Sequence, residues 1–487
     1  MKSMRFRAAL AGVALALTCL VSHAASPLLG FDDARHLLNR SGFSASRFDI
    51  ETYARLTREQ AVERLLAETR REAATAPPAF TREPFYSFRR LRGLTPEERQ
   101  AWQRQRRDEA VALRAWWLGE MRVTASPLTE RMTLFWHNHF VSSEQKVRSP
   151  QLMYRQNALL RRHALGSFAE LTHEIARDPA MVIYLDSASN RKGQPNENFA
   201  REVMELFTLG EGRYTEQDIK EAARAFTGWG IDPERGEFLF REAAHDDGSK
   251  TVLGRSGNLK GADVLNILLA HPATAEHVVQ KLWREFVSPA PDAAEVKRIA
   301  RVFRDNRYDI KAALRAMLTS DAFFAKENRG TLVKSPVELV VGSLRQFRVT
   351  AGDMLPFAVT TAQLGQNLFA PPNVKGWPGG VAWINSTTLL RRKQFLEQLF
   401  RSEEARPMQV AMANERVAAD PMRERVARAM AEIRLDPQLA LAEYGAGDVQ
   451  TLQRVVLPAA PEKALAPGAQ GIEALKLLTQ DAVYQLK

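Results

Sequence analysis

Helix-start signals recur along this chain and constrain it to a mostly helical fold. Thr95-Pro96-Glu97-Glu98 combines a capping residue, a proline at the first helical position and a glutamate that can close a capping box. The helix that begins there is predicted to extend to about Val123, because apolar residues recur along it at helical spacing. Ser126-Pro127 and His271-Pro272 indicate two further helix starts. The predicted fold class is therefore mainly α, a multi-helix globular domain.

Two stretches interrupt the helical pattern. Residues 238–241 and 250–254 are predicted to be short strands joined by turn residues at His245-Asp246-Asp247-Gly248, so we expect a small β-hairpin within the helical body. Residues 372–385 contain three glycines, two prolines and two tryptophans, a composition that excludes a regular helix. Because the tryptophans need large apolar partners, we expect an ordered loop there.

The N-terminus has the three parts of a secretory signal peptide. Three positive charges precede residue 8, residues 8–21 are apolar and uncharged, and Ser22-His23-Ala24 places small residues at the cleavage site. Residues 1–24 are therefore predicted to be a cleaved signal peptide. We expect an extracytoplasmic protein, located in the periplasm or secreted into the medium.

Cys19 is the only cysteine, so cleavage after Ala24 would leave a mature chain without a thiol. Any catalysis would then depend on histidine, carboxylates, lysine or a metal. An uncleaved membrane anchor is one alternative, although a span needs about 20 apolar residues. A lipoprotein attached through Cys19 is another, although Thr18 stands where such signals usually carry glycine or alanine. No later segment is long and apolar enough to serve as a transmembrane anchor.

The basic character of the chain does not indicate a nucleic-acid partner. The formal net charge is +11, and loss of Lys2, Arg5 and Arg7 with the signal would lower it to +8. The basic residues are interleaved with acidic ones, as in residues 104–109, and form no tail or block. We therefore predict no nucleic-acid binding.

The remaining chain is divided into two parts. Residues 25–405 are predicted to form the main helical domain. Residues 406–487 are predicted to be a C-terminal helical segment packed on that domain, and it includes a linker at 455–470 rich in proline, alanine and glycine.

The densest polar segment lies on a predicted helix over residues 196–209. Asn198, Arg201, Glu202 and Glu205 gather opposite an apolar face, and the two glutamates are neighbours because they are three residues apart. Two close carboxylates could bind a hard cation or divide acid and base roles. The alternative is a solvated helix face with an internal Arg–Glu pair.

Histidines supply two further candidate sites. His137 and His139 lie within Phe135–Phe140, and positions two apart point to opposite sides of a helix, so they cannot both chelate one ion there. One of them could face a pocket, or both could pack among aromatic residues. His245 and Lys250 flank two carboxylates within six residues, a set that suits metal or phosphate contacts but also an ordinary turn.

Several sequence blocks in a fixed order resemble the bacterial family called domain of unknown function 1800. In chain order the blocks are Phe135–Phe140, Asn196–Gly210, Tyr214–Asp218, Ala225–Trp229, His245-Asp246 leading into Lys250 and Leu253-Gly254, Lys334–Leu339, Pro372–Gly380 with Trp383, and the ending Tyr484–Lys487.

This resemblance implies a mostly helical, exported bacterial protein and supplies no reaction. It also implies a possible partner, an exported protein similar to sulfatases and alkaline phosphatases that is encoded nearby. The candidate site residues within the blocks are His137, His139, Asn196, Glu197, Asn198, Arg201, Glu202, Glu205, His245, Lys250, Lys375 and Trp377.

Two functions remain open at this point. In the first, the protein is a hydrolase in which Glu202 or Glu205 acts as base or metal ligand together with a histidine, and a divalent metal is a possible cofactor. Asn196, Asn198, Arg201, His245, Lys250, Lys375 and Trp377 would then contact the ligand. This function requires the side chains to converge around a cleft. In the second, the protein is a non-catalytic binding or assembly protein, whose Trp377/Trp383 loop forms an exposed aromatic patch for a glycan or a partner protein.

Overall fold

The computed structural model describes residues 27–83, 85–401, 421–442, 444 and 448–487. The predicted signal peptide lies outside the described residues. In the described part of the chain, no helix has both the length and the apolar character needed to cross a membrane.

The described chain is mainly helical, which confirms the predicted fold class. The α-helices in the first half are α1 (Gly30–Ser41), α2 (Arg47–Ala54), α3 (Arg58–Ala67), α4 (Phe88–Arg92), α5 (Pro96–Val123), α6 (Pro127–His139), α7 (Glu144–Val147), α8 (Pro150–His163), α9 (Phe168–Ala176), α10 (Pro179–Tyr184), α11 (Asn198–Glu202) and α12 (Glu216–Ala225). Those in the second half are α13 (Gly261–Ala270), α14 (Pro272–Phe286), α15 (Ala293–Asp305), α16 (Ile310–Leu318), α17 (Asp321–Phe324), α18 (Pro336–Gln346), α19 (Leu355–Gln363), α20 (Ser386–Leu399), α21 (Pro421–Ala431), α22 (Pro437–Ala442), α23 (Val449–Val456) and α24 (Gly471–Gln480).

Shorter helical pieces connect these elements. A π-helical segment, Val203–Thr208, continues α11 without interruption. Single 3₁₀ turns are formed by Ala79–Arg82, Ser187–Ser189, Glu242–Ala244, Lys326–Asn328, Gly380–Trp383 and Ala482–Gln485.

In the described part of the chain, four short strands form two separate antiparallel hairpins. β1 (Trp229–Ile231) pairs with β2 (Phe238–Phe240), and β3 (Lys250–Val252) pairs with β4 (Arg255–Gly257). The predicted pairing of residues 238–241 with 250–254 is therefore wrong, although both strands exist. Leu253 and Gly254 have positive φ angles and form the two-residue turn of the second hairpin, so the chain reverses there.

The predicted helix starts are confirmed by cap geometry. The Thr95 hydroxyl accepts a hydrogen bond from the Glu98 backbone N–H, and the Glu98 carboxylate accepts one from the Thr95 N–H. The helix α5 that follows ends at Val123. Proline stands at the first position of α6 and of α14, as the sequence indicates.

The hydrophobic core is a single cluster that α6 crosses, and a buried ion pair lies within it. The Glu130 carboxylate of α6 accepts hydrogen bonds from Arg161 of α8 at 2.6 and 3.0 Å and from the Trp117 indole of α5 at 2.8 Å. Because both charges are buried and paired, the network links three helices at a defined register.

The C-terminal helices contact the rest of the chain. α24 packs against α20, α22 and α23, and α21 packs against α19. The Tyr484 hydroxyl lies 2.9 Å from Ser343 Oγ on α18, and the Lys334 N–H donates to the Gln485 carbonyl at 2.8 Å. These contacts bring the side chain of Lys487 beside α18 and α14.

Candidate functional site

Four of the sequence blocks meet around one cleft of about 410 Å³, which we call the four-block cleft. Asn138 and His139 come from the end of α6, Ser335 and Glu338 from the start of α18, and Lys487 from the C-terminal block. The charged and tryptophan side chains that also line the cleft include Arg131, Lys281, Arg284, Glu285, Lys375, Trp377 and Trp383. Positions hundreds of residues apart in the sequence therefore share one cavity.

The loop that carries Lys375 and Trp377 is held on α6 by Asn138. Asn138 Oδ1 accepts a hydrogen bond from the Trp377 N–H at 2.8 Å, and its Nδ2 donates to the Trp377 carbonyl at 3.4 Å. Gly376 has a φ of +79°, and a Cβ there would lie 2.2 Å from Asn138 Oδ1. Only glycine fits this approach without displacing the loop.

Both tryptophans of this loop are buried, with Trp377 5% and Trp383 7% exposed. The exposed aromatic patch expected for a binding protein is therefore not formed by these residues. The two indoles instead line the wall of the four-block cleft.

An ionic quartet of three buried residues and the partly exposed Glu285 forms one end of the cleft. Arg131 pairs with Glu338 at 2.5 Å and with Glu285, and Lys487 pairs with the same two glutamates. Burial alone would raise the pKa of Glu338, but Arg131 and Lys487 lower it to about 2. Two cations and two carboxylates thus balance one another within the quartet.

Lys281 and Arg284 lie beyond the quartet on the same face of α14. They are three residues apart, and neither has a carboxylate partner within hydrogen-bonding or salt-bridge distance among the described residues. Their charges are therefore uncompensated at the cleft wall.

The Lys281 amine is fixed by two neighbours. It donates a hydrogen bond to the Leu206 carbonyl at 2.8 Å, and its Nζ lies 3.1 Å from His139 Nδ1. Burial, reinforced by the nearby Arg284, lowers the pKa of Lys281 to about 8. Part of the amine is therefore neutral near physiological pH.

His139 is held as a neutral ring. Its Nε2 lies 3.1 Å from the Phe207 carbonyl, so that nitrogen carries the ring proton and Nδ1 accepts from Lys281. Burial, followed by the charge of Lys281 and by His277, lowers the pKa of His139 well below its ordinary value.

The carbonyls that hold these groups belong to the end of the π-helical segment. The last carbonyls of a helix lack partners within the helix and must be satisfied from outside. The Leu206 carbonyl accepts hydrogen bonds from His277 Nε2 and Lys281 Nζ. The Phe207 carbonyl accepts one from His139 Nε2. A helix C-terminus also favours a nearby positive charge.

His137 is separated from the cleft. Its Nε2 accepts a hydrogen bond from the Phe369 N–H at 3.2 Å, and its ring packs against Trp117, Phe369 and Trp377. Burial lowers its pKa to about 3. Of the two candidate histidines, only His139 lines the four-block cleft.

Glu202 and Glu205 lie next to the cleft and not within its lining. Burial and the neighbouring Glu205 raise the pKa of Glu202. Glu205 accepts a hydrogen bond from the Tyr214 hydroxyl at 2.8 Å and lies 3.9 Å from the Lys375 amine of the cleft. The two carboxylates are neighbours, as their spacing predicts.

The other polar residues of the Asn196–Gly210 block are paired with groups outside the cleft. Arg201 forms ion pairs with Glu197 and Glu216, and Asn198 Nδ2 donates to Asp186 at 3.1 Å. Asn196 donates to Ser189 and lines a separate polar cavity of about 620 Å³, together with Glu197, Trp229 and Arg241.

His245 and Lys250 are buried near the β-hairpins. His245 Nδ1 lies 2.9 Å from the Thr227 carbonyl, and its Nε2 is buried and has no hydrogen-bond partner among the residues that the structure describes. Lys250 donates to the Gly248 carbonyl at 2.9 Å. Neither residue lines the four-block cleft, so the structure does not bring all predicted site residues together.

Sequence reasoning missed the charged residues that define the cleft. Glu338 and Lys487 stand in the recognised blocks, but Arg131, Lys281 and Arg284 stand outside them. The spacing of Lys281 and Arg284 on one helical face was the available signal. Among the described residues, no group of three or more His, Cys, Asp or Glu side chains is arranged to hold a metal ion.

Comparison with known proteins gives a family and no closer relative. The chain matches no curated protein and no solved structure. The family model described as "Protein of unknown function (DUF1800)" matches residues 36–485, nearly the whole chain. The resemblance seen in the sequence blocks is thereby confirmed, and the chain belongs to the DUF1800 family of proteins of unknown function.

Proposed function

We propose that this protein is an exported bacterial protein whose four-block cleft binds a ligand with an anionic group. The observation that carries the proposal is the uncompensated charge of Lys281 and Arg284 at the cleft wall. Lys281 is half-buried and Arg284 is exposed, so an anion would be attracted most strongly near Lys281, where water is partly excluded. An anionic group between these two side chains would complete their charge pairing.

The shape of the cleft supports a ligand of small-molecule size. Its volume of about 410 Å³ falls within the range of roughly 300–1,000 Å³ that is usual for such sites. Trp377 and Trp383 supply apolar wall beside the cations, which suits a compound with a ring and a charged substituent. A saccharide that carries sulfate, phosphate or carboxylate has this chemistry.

Export would determine the compartment in which the protein binds its ligand. The signal-like N-terminus and the family resemblance both favour the periplasm or the medium. Protein recovered from the extracytoplasmic fraction is expected to begin at Ala25. Recovery in the cytoplasm with Met1 retained would overturn this part of the proposal.

An anionic ligand is also consistent with the partner that the family resemblance implies. An exported protein similar to sulfatases and alkaline phosphatases would act on sulfate or phosphate esters, which are anionic compounds. We propose that the two proteins share such a ligand. Co-purification from the extracytoplasmic fraction would support a direct complex, and its absence at high protein concentration would exclude a stable one.

A hydrolase is the second candidate function, and one observation favours it. Glu202 has a raised pKa beside Glu205, and Glu205 contacts the cleft through Lys375. A carboxyl of raised pKa next to a second carboxyl is an arrangement that can divide acid and base roles. Release of sulfate or sugar that stops in Glu202→Gln, with unchanged ligand binding, would favour hydrolysis over simple binding.

The binding proposal is tested with a matched pair of ligands. Glucose 6-sulfate and glucose differ only in the anionic group, and calorimetry should detect binding of the sulfate ester alone. Replacement of Arg284 by glutamine should weaken that binding about tenfold, because a charge-assisted hydrogen bond is worth about 1.5 kcal/mol. Arg301→Gln removes an exposed arginine of α15 outside the cleft and should leave affinity unchanged.

Two results would contradict the proposal. One is equal affinity for glucose and its sulfate ester. The other is an equal effect of Arg284→Gln and Arg301→Gln, which would show that net charge alone governs the attraction.

A further inference from the structure

We propose that Lys281 is a nucleophilic amine that forms an imine with the carbonyl group of an anionic ligand in the four-block cleft. The inference rests on the proposed function, since the cleft must first bind an anion. It goes further because it assigns covalent chemistry to one residue and names a substrate class, aldehydes or 2-oxo acids that carry an anionic group.

The geometry of the amine carries the inference. A neutral lysine amine has two hydrogens and one lone pair around nitrogen. Both hydrogens of Lys281 have acceptors, the Leu206 carbonyl at 2.8 Å and His139 Nδ1 at 3.1 Å. The lone pair then takes the remaining tetrahedral position. Lys281 lines the cleft, so we infer that the lone pair in this position is the one that meets a ligand.

His139 is suited to keep the amine in this state. The contact of its Nε2 with the Phe207 carbonyl fixes the ring proton there and leaves Nδ1 as an acceptor. The uncharged His139 Nδ1 can accept a hydrogen bond from a neutral amine, whereas a carboxylate in its place would stabilise the charged ammonium form. Among the described residues, Lys281 has no carboxylate within salt-bridge distance.

Burial and the neighbouring Arg284 favour the neutral amine and outweigh the attraction of the helix C-terminus for a positive charge. Arg284 and His277 face Lys281 from its own helix, and His139 faces it from α6. Burial and Arg284 lower the pKa of the amine from 10.5 to about 8. Desolvation and a second cation are the two causes that activate lysine nucleophiles in proteins.

Imine formation joins the Lys281 nitrogen to the carbonyl carbon of the ligand and releases one water molecule. The nitrogen lone pair attacks the carbonyl carbon, and the carbonyl π electrons move to its oxygen, which takes up the proton that nitrogen loses. The hydroxyl then takes a second proton from the solvent and leaves as water while the nitrogen lone pair forms the C=N bond, so the imine carries the positive charge of that proton. The protonated imine keeps one N–H, which can still donate to the Leu206 carbonyl or to His139.

Reductive trapping of the full-length mature protein tests the proposal. Glyoxylate carries both an aldehyde and a carboxylate, and cyanoborohydride reduces its imine to a stable carboxymethyl amine. Peptide mapping by mass spectrometry at pH 7 compares Lys281 with Lys375, an exposed lysine of the same cleft. The lowered pKa makes the neutral fraction of Lys281 roughly two orders of magnitude larger than it would be at the ordinary lysine pKa, so we expect modification of Lys281 to be at least about tenfold faster.

Two further measurements connect labelling with the cleft. Glucose 6-sulfate should protect Lys281 from modification in the wild-type protein, a result that needs no variant to fold. Lys281→Arg keeps the positive charge and the donors but cannot form an imine. It should therefore lose the adduct.

The outcomes separate the two proposals. Modification of Lys281 no faster than Lys375, with sulfate-ester binding intact, would overturn the imine and leave the binding function standing. Preferential modification of Lys281 without any binding of glucose 6-sulfate would support the amine chemistry and overturn the proposed ligand class. Fast, protectable modification of Lys281 alone supports both.

Discussion

The side-chain amide of Asn138 forms a two-point contact with the backbone of Trp377. The Trp377 N–H donates a hydrogen bond to Asn138 Oδ1 at 2.8 Å, and Asn138 Nδ2 donates one to the Trp377 carbonyl at 3.4 Å. Asn138 stands at the end of α6, one residue before His139. This contact therefore sets the position of the tryptophan loop relative to the histidine that holds Lys281.

Removal of this amide is expected to destabilise the fold and to loosen the cleft. Asn138→Ala should lower the free energy of unfolding by about 1–3 kcal/mol, because the Trp377 N–H and carbonyl lose their partner. Urea unfolding followed by circular dichroism measures the change. Asn138→Asp keeps the acceptor and should lose less. Equal stability of Asn138→Ala and wild type would show that the contact contributes nothing.

Two glycines of the same loop separate steric fit from backbone strain. Both have positive φ, but a Cβ at Gly376 meets Asn138 Oδ1 at 2.2 Å, whereas nothing lies within 4 Å of one at Gly379. Gly379→Ala should cost about 1–3 kcal/mol from the backbone conformation alone, because a φ of +71° with a ψ of −173° is a combination that essentially only glycine adopts. Gly376→Ala should cost more and should also abolish sulfate-ester binding. Equal losses of stability in the two variants would contradict this account.

Anion binding is expected to weaken as pH rises through 8. The pKa of Lys281 is about 8, so the amine is mostly charged at pH 7 and mostly neutral at pH 9. If the charged form binds the anion, affinity should fall about tenfold over that interval. Sulfate esters stay ionised throughout, so the ligand adds no pH dependence. Calorimetric titrations of Lys281→Arg should show an affinity that does not change with pH. If the affinity of this variant falls with pH as steeply as that of wild type, a group other than Lys281 causes the pH dependence.

The buried carboxyl of Asp178 is expected to make stability fall with rising pH. Burial raises its pKa from 3.8 to about 7, despite hydrogen bonds from Gln156 at 2.7 Å and the Met181 N–H at 3.1 Å. The folded chain therefore holds this proton more tightly than the unfolded chain. Its contribution is lost between about pH 4 and 7 and stays lost above that.

Replacement of Asp178 by asparagine tests the sign of this effect. Asparagine can still cap α10 but carries no charge. Asp178→Asn should be more stable than wild type by roughly 1–3 kcal/mol at pH 8, with the difference shrinking toward pH 5. Denaturant midpoints across this range measure it. A wild-type protein that is the more stable one at pH 8 would refute the prediction.

Helix boundaries could be predicted because their determinants are local. Thr95 and Glu98 satisfy each other across one turn, so the start of α5 is specified by four consecutive residues. The end of the strand at Val252 is predicted less accurately from the sequence, which places it at residue 254. Leu253 is a poor residue for positive φ, yet it occupies the turn next to Gly254, and only the pairing with β4 overrides that preference.

The candidate site could be predicted only in part. Glu202 and Glu205 are neighbours because helical geometry alone brings them together. His137 and His139 lie in one short block, but only packing decides that Phe369 covers the first and that Lys281 contacts the second. The isolated sequence carries no measure of such burial.

By itself, the sequence determined the helical class, the caps and the family, since each depends on residues close together or on blocks in a fixed order. Only the tertiary structure decided that Asn138, Trp377 and Lys487 line one cleft. It also decided the character of Lys281, whose pKa depends on burial and whose amine is held by a carbonyl 75 residues away in the chain. Charge and reactivity are properties of the surroundings, and those surroundings exist only once distant segments have packed.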